Sequence, residues 1–570
     1  MLLEIEKYIY ALFSNIKGLQ VYVPKSLKFG HLSTNAPFVV SRQTQKDISE
    51  IVNDITVQLM SKYKDYIDKI ELAKNGFLNI YFNDKFFTQS LQLALQQKNK
   101  FGANTTNEKR KILVEYFSTN PTGPLHCGHA RSVYGHALGK ALALLGHEVQ
   151  HEYYVNDAGN QIKILAKSVH WRYLELLNQA VSQPKEAYCG DYIIDIAQKI
   201  IDLHENKWIE YSKSTEKYFA EYAMKECLNQ IKQDLELFNI KFDTYKYETT
   251  IYEEKYVEKA IQILKNNDLV YTGKLQKVKA KKGQGSNQNM LLFKTTQFED
   301  DENRALTKGD GNYTYFAGDI GYHLNKIDRE YCWLINVLGA DHASYAKRIK
   351  AATQALSESL KKKVKIDITI LQIVLFESKG ESLRFSKRSG TIFTLRDMLK
   401  ILGCDLLRFV LLQKKPNAHY SVNIDEIKQI SLKNPFYYIQ YAHARICSLF
   451  RQSNLTNESI QKHTFDINHL SDSMKSLLFI LIQWPREIYN VQNTLEVHTI
   501  ITYLYNIAET FHSIWNEGKE NNQVRWIVSN ENITLSRFQL LQLTKTTISI
   551  ALSILEIEAY NELNENSKIH

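Results

Sequence analysis

The chain has 570 residues, 44% of them apolar and 23% charged, too long for one hydrophobic core, so roughly two to four domains are expected. Its apolar runs fall short of the ~20 residues a membrane span needs, and the opening "MLLEIEKYIYALF" lacks the basic-then-apolar order of a secretory leader, so a cytoplasmic protein with no membrane partner is expected. A net charge of +9 suits a polyanionic partner without requiring one, and the six scattered cysteines, with no CxxC pair, argue against a disulfide framework or a protein-held metal.

The first hundred or so residues read as an α+β unit, 1–105. "LLEIEKYIYALF" and "QKDISEIVNDITVQLMSKY" carry apolar residues at spacings of three and four, the helical period, while "IDKIELAKNGFLNIYFN" breaks at Asn75 and Gly76 between two strand-like runs, a hairpin signal. The polar passage "QQKNKFGANTTNEKRK" then reads as a linker.

Next comes "KILVEYF", a strand over 111–117, followed by the turn-rich loop "STNPTGPLHCGH" and a helix over about 129–145 that Gly146 ends. A second strand, "EVQHEYYV", completes a strand, loop, helix, strand unit; in doubly wound folds such a unit holds its ligand over the helix N-terminus. That N-terminus offers unpaired N–H groups and the positive dipole end to phosphate, and His126 and His129 add donors. Pro124, Gly123 and Gly128 let a ligand approach the backbone closely, although two polar loop histidines would look the same locally.

Residues 160–241 read as an inserted helical hairpin over one edge of the α/β domain, with "CGDY" as a turn. The Lys-rich pieces "KLQKVKAKKGQG" and "SLKKKVK" could touch phosphate or be solvated loops. After the alternating run "IDITILQIVLF", the segment "SLRFSKRSGTIFTLRDML" places basic groups in a Ser/Gly-rich loop, where a lysine can meet the charge that builds on a phosphoryl centre during nucleotidyl transfer. The last ~165 residues, 406–570, have few Gly or Pro and a helical period, so an α-helical bundle is expected. Its "NPFYYIQYAHARICSLFR" is an aromatic and basic stripe, suited to core packing or to stacking on single-stranded bases.

"HCGH" and "RFSKR", in this order, resemble the two signatures of class I aminoacyl-tRNA synthetases. The blocks "VEYFSTNPTGPLHCGHARS", "YYVNDAGNQI", "TYFAGDIGYHLNK", "INVLGADHASYAKRIKAA" and "NPFYYIQYAHARICSLF" are similar to those of bacterial arginyl-tRNA synthetases. The resemblance implies an α/β Rossmann-like catalytic domain with a parallel sheet over 106–405, an N-terminal domain for the tRNA elbow, and a C-terminal all-α anticodon-binding domain. It implies an arginine–tRNA ligase that activates L-arginine with ATP and transfers it to the 3′-terminal adenosine of tRNA(Arg). Mg2+ would come with the nucleotide, with no dedicated protein site, and the enzyme would be a monomer.

By the same resemblance, His126, His129 and Lys387 are catalytic, and Pro124, Gly128, Arg384 and Ser386 join them around ATP. Glu115 and Asp319 would take the guanidinium, with Tyr315 as a wall; Ser118 lies in the same pocket, and Asn120 and Asp341 would face the α-amino end. Carboxylates suit this substrate, because a guanidinium is planar, always charged and offers five N–H donors in a fixed fork. Tyr438, Tyr441, His443 and Arg445, with Trp515 and Asn516, become candidates for tRNA contact.

The chain departs from the family pattern in places. Arg384 and Phe385 stand where lysine and methionine are usual, Cys127 holds an aliphatic position, His31 replaces an acid, and the C-terminal stretch lacks a terminal methionine. Two rival readings are a class I synthetase for another amino acid, against which the acids at 115 and 319 argue, and a catalytically silent tRNA-binding relative, which would be expected to have lost His129 or Lys387.

Overall fold

A computed structural model of the chain describes residues 1–274, 289–382 and 393–563. After the linker, the chain builds a five-stranded, all-parallel sheet from Lys111–Phe117, Glu148–Val155, Thr244–Tyr247, Trp333–Gly339 and Lys365–Leu371. Ile112, Leu113 and Val114 are all buried, as both faces of a parallel strand must be. Lys111–Phe117 is central in space; the next two strands lie on one side of it and the last two on the other. The winding therefore reverses between Lys111–Phe117 and Trp333–Gly339, and a crevice opens beyond their carboxyl ends.

The helix Val133–Leu144 lies unusually close to this sheet. A Cβ on Gly135 would fall 2.2 Å from the Cβ of Tyr116, and one on Gly139 2.2 Å from the ring of His151. The two glycines, one turn apart, let helix backbone rest on strand side chains.

The insertion is three helices, Asn160–Leu176, Asp191–His204 and Lys213–Leu237, rather than the expected hairpin. The chain breaks after His204, where Glu205 takes a positive φ, and restarts at Ser212, whose hydroxyl caps the Thr215 N–H. The three helices bury a core of their own, with Val169, Ile196 and Phe219 at its centre.

The N-terminal unit is a four-stranded antiparallel sheet with helices, and its hairpin Ile67–Leu72 and Leu78–Phe82 turns through Gly76 at φ +83. His31 accepts the Phe82 N–H through Nδ1 at 2.9 Å and packs against Phe82, Phe87 and Phe479. Burial pulls its pKa down to about 4, so the residue that replaces an acid is a neutral acceptor in an aromatic cage.

The C-terminal region is helical from Pro435–Gln452 through Glu531–Ile554, with one exception to the all-helical expectation. Tyr420–Asn423 is a strand, paired in parallel with Val374–Ser378 in a separate small sheet, so that sheet crosses the boundary expected at 405. One continuous apolar core runs from Ile5 and Phe86 through Leu142 to Trp484 and Leu541.

Candidate active site

At the end of Lys111–Phe117 the two histidines build a cap. His126 is extended (φ −102, ψ 165), its Nδ1 accepts the Gly128 N–H at 3.1 Å, and its own N–H goes to Nδ1 of His129 at 3.3 Å. The rings lie 3.8 Å apart between centroids. Any side chain at Gly128 would strike His126 at 2.8 Å. The expected helix opens here as a 3-10 turn, Cys127–Ser132, before the α-helix proper.

This turn is sewn to a distant segment. His126 forms an antiparallel bridge with Thr394, and the Leu395 N–H donates to the Leu125 carbonyl at 2.8 Å. Asp234, from the insertion, accepts the Leu125 N–H at 3.4 Å and pairs with Arg396. Pro124 is buried beside them, and Tyr192 of the insertion donates to the Thr122 carbonyl at 2.7 Å. Arg384, Ser386 and Lys387, with Phe385, lie outside the described residues, and the segment fixed to the histidine turn begins at Thr394.

Across the crevice, the helix Tyr315–Asp328 carries a polar stripe on its inward face. Tyr315, Asp319, His323 and Lys326 recur every three or four residues, so they line one side. Tyr315 at the mouth is 74% exposed, Asp319 is half-buried, and His323 and Lys326 are buried. A hydrogen-bond chain links them to the strands. His323 Nδ1 donates to the Asp319 carbonyl at 2.8 Å, Asn336 Nδ2 donates to His323 Nε2 at 3.1 Å, and Lys326 Nζ donates to Asn336 Oδ1 at 3.3 Å and to Glu115. Burial and the nearby Lys326 keep His323 neutral, as this tautomer requires.

Glu115 is therefore not an open carboxylate: it is buried and ion-paired with Lys326, whose side chain is 0% exposed. Asp319 is different. Its Oδ2 accepts from Tyr345 OH, and burial, with Glu115 and Glu248 near, raises its pKa to about 7. Glu248, which sequence reasoning missed, is also pushed up, by burial and by Asp157. Asp157 in turn holds the Thr249 N–H at 2.9 Å and its hydroxyl at 2.5 Å. Tyr345 was equally missed; its only local signal is its place in "GADHASY", after a strand that points at the crevice.

The remaining candidates lie near these groups but outside the chain of bonds. The Ser118 carbonyl accepts from Asn156 Nδ2 at 2.9 Å, and Asn120 Nδ2 donates to the Asn156 carbonyl at 3.4 Å. The Asp341 side chain is 80% exposed, with His342 Nε2 at 3.4 Å.

In the C-terminal bundle, Tyr441, Arg445 and Trp515 form a half-exposed face, the Arg445 guanidinium lying 5.9 and 5.3 Å from the two ring centroids. Tyr438 packs at a tilt against Tyr505 and His512, and Asn516 is exposed. His443 requires a correction as a base contact. Two positions from Tyr441 on a helix points it the other way, into the core, where it bonds the Tyr560 carbonyl at 2.9 Å and Ser549 at 3.1 Å.

Comparison with known proteins covers nearly the whole chain. The arginyl tRNA synthetase N terminal domain family matches residues 4–82, the class I (R) tRNA synthetase catalytic domain residues 90–431, and the DALR anticodon binding domain residues 439–563. Arginine–tRNA ligase of Roseobacter denitrificans is 35% identical, with 96% of this chain and 95% of that one covered. The same-named protein of Pelagibacter ubique is 36% identical, with 95% and 94% covered. A putative arginyl-tRNA synthetase structure from Campylobacter jejuni superposes with a TM-score of 0.73 at 30% identity, covering 84% of this chain and 100% of that one. The arginyl-tRNA synthetase of Thermus thermophilus superposes with 0.74 at 18% identity over 98% of each, a likeness of fold.

Proposed function

This chain belongs to the class I arginyl-tRNA synthetases and is an arginine–tRNA ligase, and we propose that its polar stripe holds the arginine guanidinium while its histidine turn and Lys387 hold ATP. One observation carries the proposal. The turn bearing His126 and His129 and the helix bearing Asp319 face one crevice at the strand crossover, and Thr394 and Leu395, seven and eight positions after Lys387, are bonded to that turn.

In the first step the arginine carboxylate oxygen attacks the α-phosphorus of ATP, the bond to the bridging oxygen breaks, and pyrophosphate leaves. His126 and His129 bind phosphate oxygens, Lys387 meets the charge that builds in the transition state, and Mg2+ accompanies the nucleotide. In the second step a hydroxyl of the tRNA's terminal adenosine attacks the carbonyl of arginyl-adenylate and AMP leaves. No side chain need act as nucleophile, because positioning and charge stabilisation supply the rate. Asp319 is the principal guanidinium partner, with Tyr315 over it and Glu115 acting behind it through Lys326. Ser118, Asn120 and Asp341 serve the α-amino end.

The reading extends to the rest of the chain. Residues 1–105 meet the tRNA elbow, the catalytic unit runs on to Asn423 because of the strand there, and Tyr438, Tyr441, Arg445, Trp515 and Asn516 contact the anticodon region. The enzyme works as a monomer in the cytoplasm, where its tRNA and ATP are.

The test is arginine-dependent exchange of labelled pyrophosphate into ATP, with and without total tRNA and with lysine as control. Exchange with arginine and not lysine, and only when tRNA is present, is expected. Lys387→Ala should slow it by ~100-fold or more with arginine binding unchanged. An unchanged rate would remove Lys387 from the site, and no exchange with any amino acid while tRNA still binds would favour a silent relative.

A further inference from the structure

We propose that Tyr345 is a specificity-determining positioning residue: its hydroxyl, donated to Asp319 Oδ2, fixes the carboxylate so that the other oxygen faces the substrate's guanidinium. This rests on Asp319 being the guanidinium partner.

The geometry gives the phenol little freedom. Tyr345 ends the 3-10 turn Ala340–Tyr345 that follows the strand Trp333–Gly339 and directly precedes the helix Ala346–Ser359. Its ring meets Phe316 edge-on at 6.1 Å, on the same helix as Asp319, and the Arg348 guanidinium lies 5.4 Å from its centroid. Burial and the Asp319 charge push its hydroxyl well above the usual phenol range, so it keeps the proton that it donates to Asp319. Among the described residues, neither Asp319 Oδ1 nor the Glu248 carboxylate takes a hydrogen bond, so acceptors remain for a fork of N–H donors.

The groups facing Asp319 set its charge. Glu115 and Glu248 oppose ionisation, Lys326 favours it, and Tyr252 and Tyr154 add neutral bulk, the Tyr252 hydroxyl filling the space that a Cβ on Gly318 would need. Burial and the neighbouring acids raise the Asp319 pKa to about 7, so its proton competes with a bound cation around neutrality. A guanidinium binds the anion, so arginine affinity should rise with pH through that value and level off above it. The Tyr345 bond favours the anion, so its loss moves the inflection upward.

Arginine Kd is measured by equilibrium dialysis of the full chain with tRNA present, across neutral pH, for wild type, Tyr345→Phe and Asp319→Asn. In Y345F the inflection should move up by about one pH unit and binding near neutrality weaken about fivefold, recovering at higher pH, with ATP affinity and Tm unchanged. If D319N weakens arginine binding but Y345F leaves the inflection in place, the role of Tyr345 is overturned and the pocket stands. If D319N binds arginine as wild type does, the pocket reading itself falls. If Y345F lowers Tm and weakens arginine and ATP together at every pH, Tyr345 is merely structural.

Discussion

Glu115 and Asp319 are both acids beneath the strand crossover, but their partners differ. Lys326, fully buried, has Glu115 as its counter-ion, so Glu115→Gln should strand a buried charge. The expected cost is about 3–5 kcal/mol of stability, read as a fall in Tm. Asp319→Asn should leave Tm nearly intact and weaken arginine binding by about 10–100-fold, since it removes a charged acceptor rather than a structural pair. Thermal melts and arginine binding on both variants check the division; equal loss of affinity with no loss of stability would return Glu115 to direct contact. At the residue scale the two acids were legible through the family resemblance, and their charge suits a guanidinium. The lysine that occupies one of them was not, since it lies on a helix far along the chain.

The helix behind the histidine turn lies close to the sheet and sets where that turn sits. Gly135→Ala places a methyl group 2.2 Å from the Tyr116 Cβ, on a strand that cannot yield without moving the sheet. Overpacking should cost about 1–3 kcal/mol, and any shift of the helix displaces His126 and His129 with it. The variant should therefore lose Tm and slow pyrophosphate exchange with little change in arginine binding; a wild-type melt would show that the helix can relax. The expected insertion shows the limit of element-scale reading. Its period was helical throughout, but the break after His204 depends on a positive φ at Glu205 and a serine cap, which an apolar count passes over.

Across the whole molecule, one buried guanidinium joins three regions. Arg408 donates to the Leu555 carbonyl at 2.7 Å and the Phe238 carbonyl at 2.7 Å, and lies 3.4 Å from His136 Nδ1. Those groups end the last bundle helix, end the last insertion helix, and sit on the helix that follows the histidine turn. Arg408→Met should leave two buried carbonyls without donors, costing roughly 3 kcal/mol. Hydrogen exchange should show joint loss of protection in Val133–Leu144 and Glu531–Ile554; protection lost in one alone would mean that the regions are held separately.

By itself the sequence determined the strand, loop, helix, strand unit and the helical C-terminal region, because period and turn formers are local properties, and through the family resemblance it pointed to the two signature segments and to Glu115 and Asp319. Only the tertiary structure decided that the crossover lies between Lys111–Phe117 and Trp333–Gly339, that Lys326 pairs with Glu115, and that His443 faces the core. The physical reason is range. A helix period reports neighbours three and four residues away, whereas strand order, buried ion pairs and the outward face of a bundle are set by partners hundreds of residues apart, chosen when the shared core closes.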